Sequence, residues 1–265
     1  MLIWSRKGRA ALGLVAILLF ALFFLLPLVA ILMSSLSRQW NDVLPTGFTL
    51  SHFTNAFHGG SKDSLIASLT VAFGSSLFAL LYGVWAALAL RQYHFRIQKW
   101  LSMAFYLPSA IPSVSIGLGA LVAFSQGPLQ MNGTLWIVMI THFVLISAFT
   151  FSNISTGLMR VSGDIENVAS SLGASPRYRL YHITLPLLLP WMVSALALSL
   201  SLSMGELGAT MIIYPPGWIT LPVAIFSLTD RGSIADGAAL AIVQVAVTLF
   251  LMLSLERVAK RLVQR

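Results

Sequence analysis

Six stretches of this chain are apolar for about the length that crosses a lipid bilayer, and no other feature limits its fold so tightly. A hydrocarbon core needs roughly 20 residues of helix. The stretches are Ala11–Met33, Leu65–Leu90, Trp100–Phe124, Leu135–Leu158, Leu185 to about Gly205, and Ala238–Leu255. Pro108, Pro112 and Gly117 interrupt the third, and serines dot the fifth. Such interruptions are tolerated where neighbouring helices satisfy the freed backbone groups. Composition agrees: 57% of the 265 residues are apolar and 9% charged, against about a quarter charged in a soluble domain. The expectation is an all-α polytopic membrane protein with six transmembrane helices. The chain has no cysteine, which excludes disulfides and thiolate metal sites.

Charge sets the orientation. Arg6, Lys7 and Arg9 precede the first span, as in a signal peptide, but the apolar run is longer than a typical h-region and no A-x-A-like site follows. The first span therefore reads as an uncleaved helix with a cytoplasmic N-terminus. Arg91, Arg96, Lys99, Arg160, Arg177, Arg179, Arg257, Lys260, Arg261 and Arg265 then fall on that same side, and only Arg38, Lys62 and Arg231 on the other. This asymmetry is the positive-inside pattern and places both termini in the cytoplasm. It accounts for the net charge of +8 without nucleic acid as a partner. Three segments lie outside: Ser34–Ser64, Gln126–Gly133 and Ile212–Gly237. The last contains "YPPGWITLP", which breaks any helix and leaves room for the chain to dip back toward the membrane.

One cytoplasmic stretch, "SGDIENVASSLGASPRYRLYHITLPLLLP", is polar beyond what a connection needs. Ser162 or Asp164 suits an N-cap. Ile165, Val168, Ala169 and Leu172 fall at i, i+3, i+4 and i+7, an apolar stripe on a short helix. Gly173 stands where a left-handed C-terminal residue is expected. Ser175 and Pro176 then open a second helix as cap and first residue, and Leu185-Pro186 is expected to turn the chain into the fifth span. Two readings follow. The stripe rests on lipid while the arginines meet headgroups, or it docks in the groove of a soluble partner, which its brevity and small residues favour.

The spacing resembles the EAA signature of binding-protein-dependent ABC importer permeases: Glu-Ala-Ala, three residues, Gly, nine residues, Ile, one residue, Leu-Pro. Gly173, Ile183, Leu185 and Pro186 match in register, and Ala169 fills the second Ala position. Asn167 stands at the Glu position and Val168 at the first Ala position, while Glu166 lies one place early. The acidic contact of the family is either shifted to Glu166 or replaced by Asn167. "YLPSAIPSVSIGLG" (Tyr106–Gly119) is similar to the Pro-rich third span of such permeases. "GELGATMIIYPPGWITLPVAIF" (Gly205–Phe226) resembles the molybdate, sulfate, polyamine, iron and phosphonate branch, and the whole chain resembles 2-aminoethylphosphonate importer permeases.

The resemblance implies a type I importer permease in the bacterial inner membrane. Its partners would be cytoplasmic ATP-binding subunits, a second and different permease chain, a periplasmic substrate-binding protein and lipid. It implies a first helix and outer loop over 1–63, a core over 64–255 with a coupling helix at about 162–184, and a basic tail over 256–265. The coupling residues would be Glu166, Asn167, Val168, Ala169, Gly173, Ala174 and Ser175. Substrates of the other branches, namely molybdate or sulfate, polyamine, thiamine and iron, are the alternatives.

Among the remaining polar residues, no lysine follows a glycine, so the P-loop is absent and ATPase activity is expected in a partner. If the fifth helix continues, Ser199, Ser203, Glu206 and Thr210 form one polar stripe, candidates for the pathway or its gate. Glu206 has the alternative role of a structural cap, or of a contact to a substrate amine. Gln244 with Thr248, and Thr150 with Asn153 and Gly157, have the spacing of helix-packing positions. His142 reads as a satisfied packing histidine. His52, His58, His94 and His182 show no metal spacing, so neither metal nor cofactor is expected. An ion-coupled secondary transporter would call for more intramembrane charges and an internal repeat. A membrane enzyme would call for clustered His, Asp or Glu.

Overall fold

The computed structural model describes residues 5–40, 45–126 and 128–263. Residues 41–44 and Gly127 of the expected outer segments, and residues 264–265 of the basic tail with Arg265, lie outside them. The described elements run α1 (Arg6–Phe20), a π-helical turn (Ala21–Leu25), α2 (Leu26–Leu36), β1 (Ser37–Gln39), β2 (Thr46–Phe48), α3 (Ser51–Ala56), α4 (Gly59–Leu90), α5 (Phe95–Ala110) and α6 (Ser113–Ser125). There follow α7 (Leu135–Arg160), α8 (Gly163–Ser171), α9 (Pro176–Arg179), a second π-helical turn (Leu180–Thr184), α10 (Leu185–Met204), α11 (Thr210–Ile213), α12 (Leu221–Asp230) and α13 (Ile234–Val263).

Among the described residues, five continuous helices are long and apolar enough to cross a membrane: Arg6–Leu36, Gly59–Leu90, Leu135–Arg160, Pro176–Met204 and Ile234–Arg261. The third expected span is not one helix. It is α5 and α6, bent by 96°, and it makes a sixth crossing only if the bent pair crosses as a unit. Pro112 explains the break. It lacks a donor and pushes the preceding residue out of the helical region, and Ile111 is extended at φ −95°, ψ 131°.

Two other prolines do not break their helices. Leu185-Pro186 was expected to turn the chain, yet Pro176–Met204 runs on as one apolar helix. Proline removes one ladder bond and its ring crowds the carbonyl four residues back. Here the ladder has already shifted: the Leu185 N–H bonds the Leu180 carbonyl, five residues back. The Thr184 hydroxyl reaches the Arg179 carbonyl at 3.4 Å. Pro27 is handled alike, with the Leu26 N–H on the Ala21 carbonyl. A wider turn placed before each proline lets the helix continue through it.

The chain divides into two compact units, Met1–Lys62 with Ala224–Val243, and Asp63–Val223 with Gln244–Arg265. In the first, β1 and β2 pair antiparallel with Ser37 opposite Phe48. His52 bridges the Asp236 carboxylate at 2.8 Å and the Ser37 carbonyl at 3.2 Å. In the second, α7 is the central element. Phe151, Ile154 and Leu158 pack with Leu80, Ala86, Ala87 and Leu90 of α4 and with Leu188 and Ala195 of α10. Nearer the start of α7, Ile137, Val138 and Met139 pack with Val71 of α4 and Ile213 of α11. Lipid is as apolar as leucine, so helices in a membrane associate through close packing and hydrogen bonds. Gly157 accordingly lies under the Trp191 ring, where a Cβ would collide.

Among the described glycines, the closest approach to another stretch of backbone is that of α6 to the turn before α11. A Cβ on Gly117 would stand 2.7 Å from both the Cα and the carbonyl oxygen of Ala209, backbone atoms that cannot rotate away. Gly117→Val is therefore expected to destabilise the detergent-solubilised protein by about 1–3 kcal/mol, read as a lower Tm. Gly119→Ala, with open space around it, should leave Tm unchanged or raise it.

Candidate functional site

The polar stretch 162–184 folds as its local chemistry dictates. The Ser162 hydroxyl accepts the Asp164 N–H at 3.2 Å and starts α8. Asp164 and Glu166 occupy the first turn, where the helix dipole favours negative charge. Gly173 ends the helix at φ +85°, a conformation costly to any residue with a Cβ. The Ala174 N–H returns to the Ala169 carbonyl at 3.0 Å, closing the C-terminal cap. Ser175 then accepts the Tyr178 N–H at 3.3 Å, with Pro176 opening α9. The apolar stripe is bare: Ile165 is 46% exposed, Val168 60% and Leu172 84%. Ala169 is half-buried, while Asn167 and Ser175 are exposed.

Glu166 behaves differently from its neighbour. One helical step turns a side chain by about 100°, so an acid moved one place along cannot occupy the same face. The Glu166 carboxylate turns inward, where Oε1 accepts Arg91 Nη1 at 2.8 Å and Thr184 Oγ1 at 2.7 Å. Partial burial pushes its pKa up, but the Thr184 and Arg91 hydrogen bonds and the charges of Arg91 and Arg179 outweigh this, and the net shift is below the ordinary 4.5. These residues line a cavity of about 530 Å³ with Leu88, Gln92, Pro176 and Arg177. Arg91 and Thr184 were not singled out in the sequence as partners of Glu166; the only hint was Thr184 lying between the matched Ile183 and Leu185.

The second candidate region lies at the break between α5 and α6. A cavity of about 130 Å³ is lined by Pro108, Ser109, Ile111, Ser113, His142, Ser203 and Glu206, among others. The expected stripe of Ser199, Ser203, Glu206 and Thr210 does not form, because α10 ends at Met204 and Gly205 caps it. Glu206 instead lies past that end, where Oε1 accepts the Ala209 N–H at 2.8 Å ahead of α11. Ser199 is buried against Thr150 at 2.7 Å. His142 takes Ser203 at 2.7 Å on Nδ1 and Thr210 at 2.8 Å on Nε2, so both ring nitrogens are engaged within the packing. Of the four stripe residues, Ser203 and Glu206 line the cavity; Ser109, Ser113 and the bend itself were missed, since a single helix had been expected there. Gln244 packs as its spacing suggested, with Nε2 donating to the Met204 carbonyl at 2.9 Å.

Apolar helices of membrane length, two of which, α7 and α10, line the small cavity at the α5–α6 bend, define a multi-span membrane protein. The family follows from the sequence: residues 79–265 match the model of the "Binding-protein-dependent transport system inner membrane component" family, and the chain belongs to it. It is a permease of an ABC transport system, a non-catalytic, multi-pass component of the inner membrane. The chain is 78% identical over its full length, and that of its relative, to the Salmonella typhimurium (strain LT2) protein PhnV, provisionally named a 2-aminoethylphosphonate transport system permease. It is 25% identical over 90% of each chain to PotC of Escherichia coli K12, a spermidine/putrescine transport system permease protein. The fold matches a subunit of a bacterial ABC transporter involved in alginate import at TM-score 0.79, with 18% identity and 96% of each chain covered.

The Glu166 ion pair carries a pH signature. A carboxylate with a depressed pKa adds stability above its unfolded value and loses it as pH falls through the folded one. The stability difference between wild type and Glu166→Gln should therefore hold steady from neutral pH down to about 4.5 and close below it. The pair is partly exposed, so the plateau should lie within about 0.2–1 kcal/mol. Thermal unfolding at stepped pH measures it.

Proposed function

We propose that this permease forms part of the translocation pathway of an ATP-driven importer of 2-aminoethylphosphonate. Full-length 78% identity to a permease named for that substrate carries the substrate reading. In this reading α8, the Gly173 turn and α9 form the coupling segment on the cytoplasmic side. Val168, Ala169 and the adjoining Leu172 form the apolar edge that enters a groove on an ATP-binding subunit. Asn167, Ala174 and Ser175 flank that edge. The bare stripe supports this, since a capped edge whose Val168 and Leu172 side chains are 60% and 84% exposed is a feature that water disfavours and a partner covers.

Energy then comes from ATP hydrolysis in the partner. A second permease chain and a periplasmic binding protein complete the assembly, and the binding protein selects the substrate. Ser203 and Glu206, at the cavity beside the broken span, are the pathway or gate residues of this reading. Ser199 and Thr210 hold the helices that frame it.

Uptake of labelled 2-aminoethylphosphonate tests the substrate: cells carrying the full system should accumulate it, and deletion of this chain should abolish accumulation. Uptake of spermidine, molybdate or sulfate in its place would assign the chain to another branch. Gly173→Val tests the coupling role. The variant should insert in the membrane at wild-type level, lose co-purifying ATPase and lose uptake by at least about tenfold, since the left-handed φ at this position strains any β-branched residue. Unchanged uptake would count against coupling through this segment.

A further inference from the structure

We propose that Glu166 is a positioning residue that makes the coupling segment rigid, fastening it to two membrane helices, instead of a contact to the ATPase. The proposal rests on the reading that α8 docks on an ATP-binding subunit. Its observation is that one carboxylate oxygen joins three separate pieces of chain. Glu166 lies on α8; Arg91, at 2.8 Å, directly follows α4; Thr184, at 2.7 Å, ends the π-helical turn below α10.

The geometry gives this tie a mechanical role. Between α8 and α9 the chain turns on Gly173, whose φ of +85° marks a junction held by a few local bonds. α8 is joined to α7 through Val161 and Ser162 and to α9 through the Gly173 turn; held by these two short links alone, it could roll about the line between them when its exposed edge is pushed. The Glu166–Thr184 bond lies off that line and opposes the roll, so α8, the turn and the base of α10 form a braced triangle. The Glu166–Arg91 bond adds a second brace to the end of α4. Displacement of the edge is then delivered to α4 and α10 together.

The environment suits a tie that is held under load. Thr184 is buried at 4% exposure, and the Glu166 side chain is 19% exposed against 35% for Arg91. Arg179 lines the same cavity, with a buried Nε that has no hydrogen-bond partner, and keeps a second positive charge near the carboxylate. A pair this accessible contributes little to folding stability, so loss of the tie is separable from loss of the fold.

The test uses the whole complex, with permease, ATPase and binding protein. Glu166→Ala and Arg91→Ala should each retain the ATPase at wild-type stoichiometry and keep the complex's Tm nearly unchanged. Uptake should fall at least about tenfold, and hydrolysis should no longer rise when substrate-loaded binding protein is added. The double variant should be no worse than Glu166→Ala alone, because that variant already removes both bonds, and the Arg91 bond is the one the two variants share. Leu172→Asp, on the docking edge, should instead lose the ATPase.

The chain has no cysteine, so Glu166→Cys with Arg91→Cys, joined by a short bis-methanethiosulfonate linker, rebuilds the brace covalently. Linked complexes should recover uptake relative to unlinked ones. Loss of the ATPase from Glu166→Ala would make Glu166 a docking contact, and unchanged uptake, or linkage without recovery, would show the tie to be idle; each overturns the proposal. If the wild-type chain brings down no ATPase, the docking reading itself fails.

Discussion

The packing of the larger unit depends on a buried polar seam between α7 and α10. Lipid gives helices no hydrophobic reason to associate, so something other than apolar area must choose the partners. Here Thr150 meets Ser199, and His142 holds Ser203 on one nitrogen and Thr210 on the other. His142 therefore joins α7 to the end of α10 and to the start of α11 at once. Along the same helix, Gly157 admits Trp191, and the hydrocarbon of α4, with Phe151 and Ile154 between, fills the remaining space. Removing a single polar member would leave its partners short of bonds inside the protein, where that is expensive.

The polar segment 162–184 obeys a different logic, that of a surface element held at its ends. Ser162, Gly173 and Ser175 supply the caps, so the short helices do not depend on covering their apolar edge. An isolated helix of this length would be marginal in water. The caps, the tie through Glu166 and the continuity of α9 with α10 let the edge stay uncovered and still ordered.

Much of this was readable in the residues. The caps of 162–176 were legible because serine, glycine and proline at cap positions act through bonds within a few residues. The long apolar runs were legible because bilayer thickness sets their length. What escaped depends on distant partners. Glu166 looked like a displaced version of an outward acid until Arg91, 75 positions earlier, and Thr184 were seen to meet it. Ser199 and Thr210 looked like members of one stripe because a continuing helix was assumed; the chain stops being helical at Gly205. Prolines misled in both directions. Pro112 broke a helix that had been read through, and Pro186 was absorbed where a turn had been expected, because the compensating shift in the ladder leaves no mark on composition.

The bend at Ile111–Pro112 has a consequence for hydration. A helix that ends leaves its last carbonyls without partners, and one that begins leaves its first N–H groups so. At membrane depth hydrocarbon can satisfy neither, and such ends persist only beside protein polar groups or water. Where α5 stops and α6 starts, the Ser109 hydroxyl returns to the Tyr106 carbonyl, and the adjoining cavity of about 130 Å³ has room for several water molecules. The break in the third expected span thus sets helix ends beside a small cavity lined in part by polar side chains. Glu206, just past the end of α10, lines that cavity and spends one carboxylate oxygen on the Ala209 N–H, so a helix start on the far side of the bend is satisfied by a side chain in place of water.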